Sequence, residues 1–329
     1  MAVLFEQFKK ACSNVEPDDD VTNASAAHLE VRDVLGADVL LKSWQIDTLL
    51  IGSYARHVSI RRITDVDVFC KIPEVDTSLT SQQVLKTFLD ILVSAFGADR
   101  VNKRDRSIQV SFQDYDLHVD VVPARPLGEN WELPQRSVEG ADWQETNPIK
   151  FGELTTQMNK DFKELYVPVV KLIRQTRRTA LGKRPGGLYF EVLTYHAFAS
   201  GLTGQNIQTL YVQSLEYIAG QLQAVLDGET IDDPALEMPI NVRVSETEFA
   251  TAATEFAKVA KSARDAYEDD NSCRSAKTYQ DLLGTRSDDA ESVFELPGYC
   301  NADGTTKAGL SAGESTVPGS GNSPRFARR

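Results

Sequence analysis

Residues 46–72 read IDTLLIGSYARHVSIRRITDVDVFCKI. An apolar run, Ile46 to Ile51, reaches the pair Gly52-Ser53. A basic turn with Arg56, Arg61 and Arg62 follows, and a second apolar run opens on Asp65-Val66-Asp67 and continues through Val68 and Phe69. Side chains two apart on a strand share a face, so Asp65 and Asp67 aim two carboxylates at one spot. A third acid, Asp120, stands inside another strand-like run, LHVDVVPA at 117–124. An acid within a strand is costly unless it is paired or holds a metal. If the two strands are neighbours, three carboxylates surround a pair of ions, the arrangement for two-metal in-line displacement at phosphorus. Mg²⁺ suits such a place because it takes one or two carboxylates and fills its shell with substrate phosphates.

The Gly-Ser turn fits the same chemistry. Gly52 lets the backbone approach a phosphate, amides at a turn entering a helix form an anion site, and the Ser53 hydroxyl adds a bond. The bland alternatives are a helix-capping serine and solvated acids at strand ends. His118 shares a face with Asp120 and is a candidate for lining the site, whereas His196 lies in an apolar helix and reads as a core residue. Arg56 and Arg61 either contact phosphate or face solvent.

Outward from this centre, residues 107–113 alternate and run through Asp114-Tyr115-Asp116 into the Asp120 strand, a hairpin pattern. Helices are expected at 4–15, 22–44 and 80–96, the last with Val84, Leu85, Phe88, Leu92 and Phe96 on one face. Asp18-Asp19-Asp20 reads as a solvated helix start. Residues 125–152, rich in Pro, Gly and Trp, show no period and read as a structured linker. From there the chain is helical: 157–180, kinked at Pro168, then 188–200, 206–226, 246–268 and 274–283. Residues 298–329 are rich in Gly, Ser and Thr and poor in large apolar groups, which predicts a mobile tail. The expected organisation is therefore a catalytic part at 1–150 with N-terminal helices, a helical part at 151–297 and the tail at 298–329.

Composition narrows the class. The chain has 329 residues, 41% of them hydrophobic and 25% charged, as expected of a globular protein. A net charge of -13 argues against broad non-specific nucleic-acid binding, which needs a basic face. No apolar run approaches the length of a membrane span, and the N-terminus lacks the layout of a signal peptide. Cys12, Cys70, Cys273 and Cys300 are scattered, without a C-x-x-C pair. That spacing predicts a reducing cytoplasm, no zinc site and no disulfide.

One segment stands out in so acidic a chain. VVKLIRQTRRTALGKRPGGLYFEVLTYHAF, 169–198, carries Lys171, Arg174, Arg177, Arg178, Lys183 and Arg184. These cations form either a solvated helix face or a cationic wall over a triphosphate.

GSYARHVSIRRITDVDVF followed by HVDVVPA resembles the polymerase-β-like nucleotidyltransferases. More narrowly, it resembles the bacterial cyclic-oligonucleotide synthases (CD-NTases) of anti-phage signalling, relatives of oligoadenylate synthase and cyclic GMP-AMP synthase. The segment 169–198 is similar to their central helix, basic turn and following helix, with Glu191 to Tyr195 matching well. Two departures stand in it: the helix cation falls on Arg174, with Lys171 a turn earlier, and Gly187-Leu188 replaces a polar or aromatic pair.

The resemblance implies an α+β fold, a nucleotidyltransferase core of mixed sheet and flanking helices followed by a helical bundle. It implies that Asp65, Asp67 and Asp120 hold two Mg²⁺ ions (or Mn²⁺), and that Gly52, Ser53, Arg56, Lys171, Arg174 and Tyr189 contact nucleotide. The implied reaction joins nucleoside triphosphates into a cyclic di- or oligonucleotide messenger with loss of pyrophosphate. The implied partners are ATP and other triphosphates, with regulatory or effector proteins of the same system. The alternatives are a nucleotidyltransferase acting on a small molecule, a tRNA end or a protein, and a catalytically silent nucleotide-binding module.

Overall fold

The computed structural model describes residues 3–18, 20–138, 141–240, 242 and 244–308. Its elements run α1 Phe5–Asn14, α2 Asp20–Ala37, α3 Val39–Ser43, β1 Asp47–Ile51, α4 Gly52–Ala55, β2 Asp65–Lys71, α5 Ser81–Phe96, β3 Val101–Lys103, β4 Ile108–Phe112, β5 Leu117–Leu127, β6 Asn130–Val138 and β7 Ala141–Thr146. Then follow α6 Pro148–Asp161, α7 Tyr166–Leu181, α8 Gly187–Ala199, α9 Ile207–Leu226, β8 Asp232–Asp233, β9 Met238–Pro239, α10 Glu246–Glu268 and α11 Ser272–Leu283.

The sheet order is β1-β2-β5-β4-β3, with β6 and β7 continuing from the far end of β5. Strands β2 and β5 run parallel, and the other pairs in the sheet are antiparallel. Alternation assigns the two faces. Val66, Val68 and Cys70 of β2 and Val119 and Val121 of β5 are buried together with Val31 and Leu35 of α2 and Val84, Leu85 and Phe88 of α5. Phe69, Val122 and Ala124 face the other way, under Trp131. By the same period, Asp65, Asp67 and Asp120 share this second face. A capping box formed by Thr80 and Gln83 starts α5, and Asp142 accepts bonds from the Ser81 backbone and hydroxyl, holding the ribbon to that helix.

Several expected elements take a different form. The helix expected at 22–44 is broken, because Asp38 leaves helical geometry and caps α3 through the Leu41 amide at 2.9 Å. The expected solvated start at Asp18-Asp19-Asp20 is partly corrected: Asp18 pairs with Arg61, and Asp20 accepts the Ile63 amide at 3.0 Å; Asp19 lies outside the described residues. The linker at 125–152 is largely a β-ribbon, with β5 running on to Leu127 and pairing with β6, which in turn pairs with β7. Pro126 and Pro134 hide its period, and Arg125, stacked on Trp143 at 4.1 Å, supplies apolar cover with a charged residue.

The expected kinked helix at 157–180 is two helices. Lys163 and Glu164 adopt positive φ between α6 and α7, and Pro168 sits in the first turn of α7, where a missing amide costs nothing. The chain 298–308, expected to be mobile, folds back: the Lys307 amide donates to Tyr299 O at 2.9 Å, and Cys300 pairs with Thr306. The expectation of no disulfide is also overturned, since Cys273 at the start of α11 is bonded to Cys300. Scattered spacing could not show that this loop returns to the helix. The tail expected beyond, 309–329, lies outside the described residues.

The second half packs around α7, α8 and α9. Val169, Val170, Leu172 and Ile173 of α7 are buried with Phe190, Leu193 and Phe198 of α8. Helix α1 joins this core although it comes first in the chain. Phe8 lies against Tyr279 and Phe294, with ring centres 4.9 and 5.2 Å away, and the Leu4 amide donates to Gln208 at 3.2 Å. We propose a division near residue 150 that nonetheless assigns α1 to the helical half.

The 27-residue separation of the two bonded cysteines gives a testable consequence. Closing a loop of that length stabilises a fold by about 3 kcal/mol, so Cys273→Ser/Cys300→Ser should lower the denaturation midpoint measured without reductant. Equal midpoints would mean that hydrogen bonds alone hold 298–308.

Candidate active site

Strand pairing assembles the acids. The parallel register sets Asp67 opposite Asp120 and Asp65 opposite His118. Three carboxylates and one imidazole thus stand on one face at adjacent strand positions. Asp120 Oδ1 accepts from Ser107 Oγ at 3.0 Å, and His118 Nε2 lies 3.7 Å from Asp120 Oδ2. Asp65 Oδ1 accepts from Thr64 Oγ1 at 3.1 Å.

The Gly-Ser turn closes over them. Gly52 has φ +73°, and a Cβ there would collide with the Asp67 carboxylate. Glycine is therefore required twice, by the backbone and by the acid beneath it. Ser53 O accepts the amides of Val58 and Ser59 at 2.9 and 3.2 Å, and Ser59 Oγ donates to Ser53 Oγ at 3.1 Å. The loop beyond is held from outside. Arg61 pairs with Asp18 and with Asp288, and its carbonyl accepts Arg178 Nη1 at 2.7 Å and Ser287 Oγ at 2.8 Å.

Like charges in a confined place shift one another. Burial first, then Asp65 and Asp120, push the Asp67 carboxyl up to about 7 despite Arg56. Burial also raises Asp120, while His118 and the Ser107 bond pull it back. Among the described residues, no group of three or more His, Cys, Asp or Glu side chains is so placed as to hold a metal ion by itself. The donor set is all-oxygen at one edge and open on the other, which fits a hard cation completing its shell with phosphates and water.

The helical half supplies the facing wall. Arg174 of α7 lies over Gly187, where a Cβ would come within 2.9 Å of its Nη1. That contact explains the glycine at 187: a side chain there would displace the guanidinium. Leu188 beside it is about half exposed. Two other expected nucleotide contacts are committed elsewhere. Arg56 gives its fork to Glu191 at 2.6 and 3.0 Å, and Lys171 is buried against both oxygens of Glu16 at 2.6 Å. Tyr189 is buried, with its hydroxyl unpartnered and its ring edge-on to Phe249. It lines a cleft of about 840 Å³ that also includes Arg106, Gln144, Lys183, Leu188 and Met238. The triad does not line this cleft; the 104–107 hairpin, which carries Ser107, connects the two. His196, expected in the core, is half-buried and bonds Asp232 O at 2.8 Å through Nε2.

Ser107, Asp18, Asp288 and Arg178 were not apparent as site-supporting residues. Their partners are 13 to 227 positions away, and nothing in local spacing signals such contacts.

Residues 1–159 match the family described as the Second Messenger Oligonucleotide or Dinucleotide Synthetase (SMODS) domain. Residues 1–159 therefore carry the likeness to the CD-NTases. It is 26% identical over 297 residues to a cyclic AMP-AMP-AMP synthase of an Acinetobacter species, covering 85% of this chain and 84% of that protein. The structure of CdnC from Escherichia coli MS115-1 with ATP superposes with a TM-score of 0.67 at 17% identity, covering 86% of this chain and 98% of that one. The complex of that CdnC with HORMA-deltaN gives the same score and identity over 89% and 98%. These likenesses establish the fold as the polymerase-β-like nucleotidyltransferase core with its helical region. The SMODS match and these relatives support a nucleotidyltransferase of the kind that joins nucleoside triphosphates into a messenger. No helix among the described residues is long and apolar enough to cross a membrane.

Two predictions follow from this geometry. Asp67 is held above its unfolded value, so its neutral form stabilises the metal-free fold fully below about pH 4. That stability is lost as pH rises through about 7. Asp67→Asn should therefore be more stable than the parent at pH 8 in chelator, by on the order of 2–4 kcal/mol, while losing turnover; a less stable variant at pH 8 would contradict this. Because a metal needs the ionised acid, Mg²⁺ affinity measured by calorimetry should rise roughly tenfold per pH unit below about 7 and level off above it. A flat profile would mean that Asp67 is not a ligand.

Proposed function

We propose that Asp65, Asp67 and Asp120 hold two Mg²⁺ ions, with Mn²⁺ as a substitute. In this reading Gly52, Ser53 and Arg174 bind the donor triphosphate, and Tyr189 lines the nucleotide cleft. The observation that carries the reading is the β2–β5 register, which sets Asp67 beside Asp120 under Gly52.

Held by Asp65, Asp67 and Asp120, the metals would supply charge neutralisation at the α-phosphate and would favour the ionised form of the attacking ribose hydroxyl. The chain's own part is mostly positioning and fixed charge. Gly52 lets the turn approach the phosphates. Arg174, half-buried and paired with Glu191 only at 3.6 Å, offers a cation to them. In this reading Asp120, with His118 beside it at 3.7 Å, receives the proton of the ribose hydroxyl. Arg56 and Lys171 act from behind, through their carboxylate partners.

The product in this reading is a cyclic oligonucleotide released with pyrophosphate, in a cellular anti-phage response. ATP is the first substrate to test, because the relative above is named for an all-adenylate product. A regulatory partner is part of the reading, since CdnC is seen bound to HORMA-deltaN.

Purified protein with labelled ATP, GTP, CTP or UTP and Mg²⁺ should give a phosphatase-resistant product, lost in Asp65→Ala/Asp67→Ala. Equal product from that folded double variant would overturn the metal assignment. Labelled nucleotide appearing only on an added small molecule, tRNA or protein would support that alternative instead. Arg174→Ala should raise the apparent KM for triphosphate about tenfold, as loss of a charge-assisted bond implies; an unchanged KM would return Arg174 to a structural role.

A further inference from the structure

One fully buried carboxylate joins the two halves beside the site. Glu191 of α8 has no exposed surface, and a buried charge of this kind persists only when it is paired. Its oxygens take Nε and Nη2 of Arg56 at 2.6 and 3.0 Å, and Arg174 Nη1 lies 3.6 Å from Oε2. Arg56 directly follows α4, whose first residues are Gly52 and Ser53. The same acid therefore touches the end of the phosphate-side turn and the cation on α7.

The two arginines are held differently. Arg56 is satisfied by a bidentate fork and seated over the Phe151 ring at 4.8 Å, so its rotamer is fixed. Arg174 has the longer contact to the acid, and its Nε has no partner. Gly187 closes one side of its guanidinium, and Asp65 lies within electrostatic reach on another. Two guanidinium charges against one carboxylate leave one positive charge in excess, and the looser partner, Arg174, carries it within electrostatic reach of Asp65. The Tyr166 hydroxyl, buried beside this group, makes no hydrogen bond, so Tyr166 contributes packing there.

We propose that Glu191 is a positioning residue for nucleotide transfer. It locks the Gly52-Ser53 turn through Arg56 and steers Arg174 toward the triphosphate without neutralising it. The inference rests on the reading of Arg174 and the Gly-Ser turn given above. A glutamine of the same shape would lack the charge that keeps two like-charged guanidinium groups together.

The test is a double-mutant cycle with Glu191→Gln, Arg174→Ala and the double variant. It reads kcat with ATP and, by calorimetry with Mg²⁺, the Kd of the non-transferable analogue α,β-methylene ATP. Glu191→Gln should lower kcat at saturating ATP by about tenfold or more. It should change the analogue Kd by about fivefold when Arg174 is present, and by less than about twofold once Arg174 is alanine. Equal changes in both backgrounds, or parental kcat and Kd in Glu191→Gln, would overturn the proposal, because a merely structural acid shows no coupling to Arg174. If Glu191→Gln does not fold, Arg56→Lys takes its place in the cycle with the same outcomes, since it keeps the charge and removes the fork. A parent protein that binds the analogue but forms no product would refute the transfer reaction, while the binding cycle would still decide the role of Glu191.

Discussion

Acids brought together at one end of adjacent strands repel one another, and that repulsion constrains the architecture around them. Asp67 faces Asp120 across a parallel strand pair, with Asp65 two residues away on the same face. In water three ionised carboxylates would separate; here backbone hydrogen bonding holds them in register. Burial first, and this repulsion after it, raise Asp67 and Asp120 above the ordinary carboxylate range. Sites of this kind sacrifice stability for function, and the cations on the facing helices partly offset the charge.

The surrounding structure keeps that arrangement rigid. The turn from Gly52 to Thr64 has little core of its own, so distant segments fasten it. Asp18 and Asp20 come from the N-terminal region, Asp288 and Ser287 from beyond α11, and Arg178 from α7. Helix α1 buries Phe8 in the helical core, so the start of the chain ties the catalytic sheet to the opposite half. Most of these bonds are individually modest at exposed positions. Together they tie three regions of sequence to one loop, and Glu191, itself without exposed surface, adds the bidentate contact to Arg56.

The larger cleft and the triad divide the site into two environments. The triad is compact, acidic and built on strands. The cleft beside it combines apolar groups such as Leu188 and Met238 with Arg106 and Lys183, a mixture suited to a base on one side and phosphates on the other. The hairpin at 104–107 stands between them, with Ser107 on Asp120 and Arg106 on the ribbon through Gln144.

Local chemistry in the sequence determined a good deal of this. Period-two alternation marked the strands that carry Asp65, Asp67 and Asp120, because strand side chains alternate whatever the strand pairs with. Period 3.6 marked α5, α8 to α11 were expected close to their observed bounds, and Gly52 was legible as a close approach. The tertiary structure alone decided which partners the charges take. Arg56 and Lys171 read as free cations in sequence, yet Glu191 and Glu16, 135 and 155 positions away, claim them. The ribbon of β6 and β7, the break before α7, the glycine under Arg174 and the Cys273–Cys300 bond were hidden for the same reason. Periodicity records which side of an element is buried, whereas pairing depends on distances between segments that only the folded chain brings together.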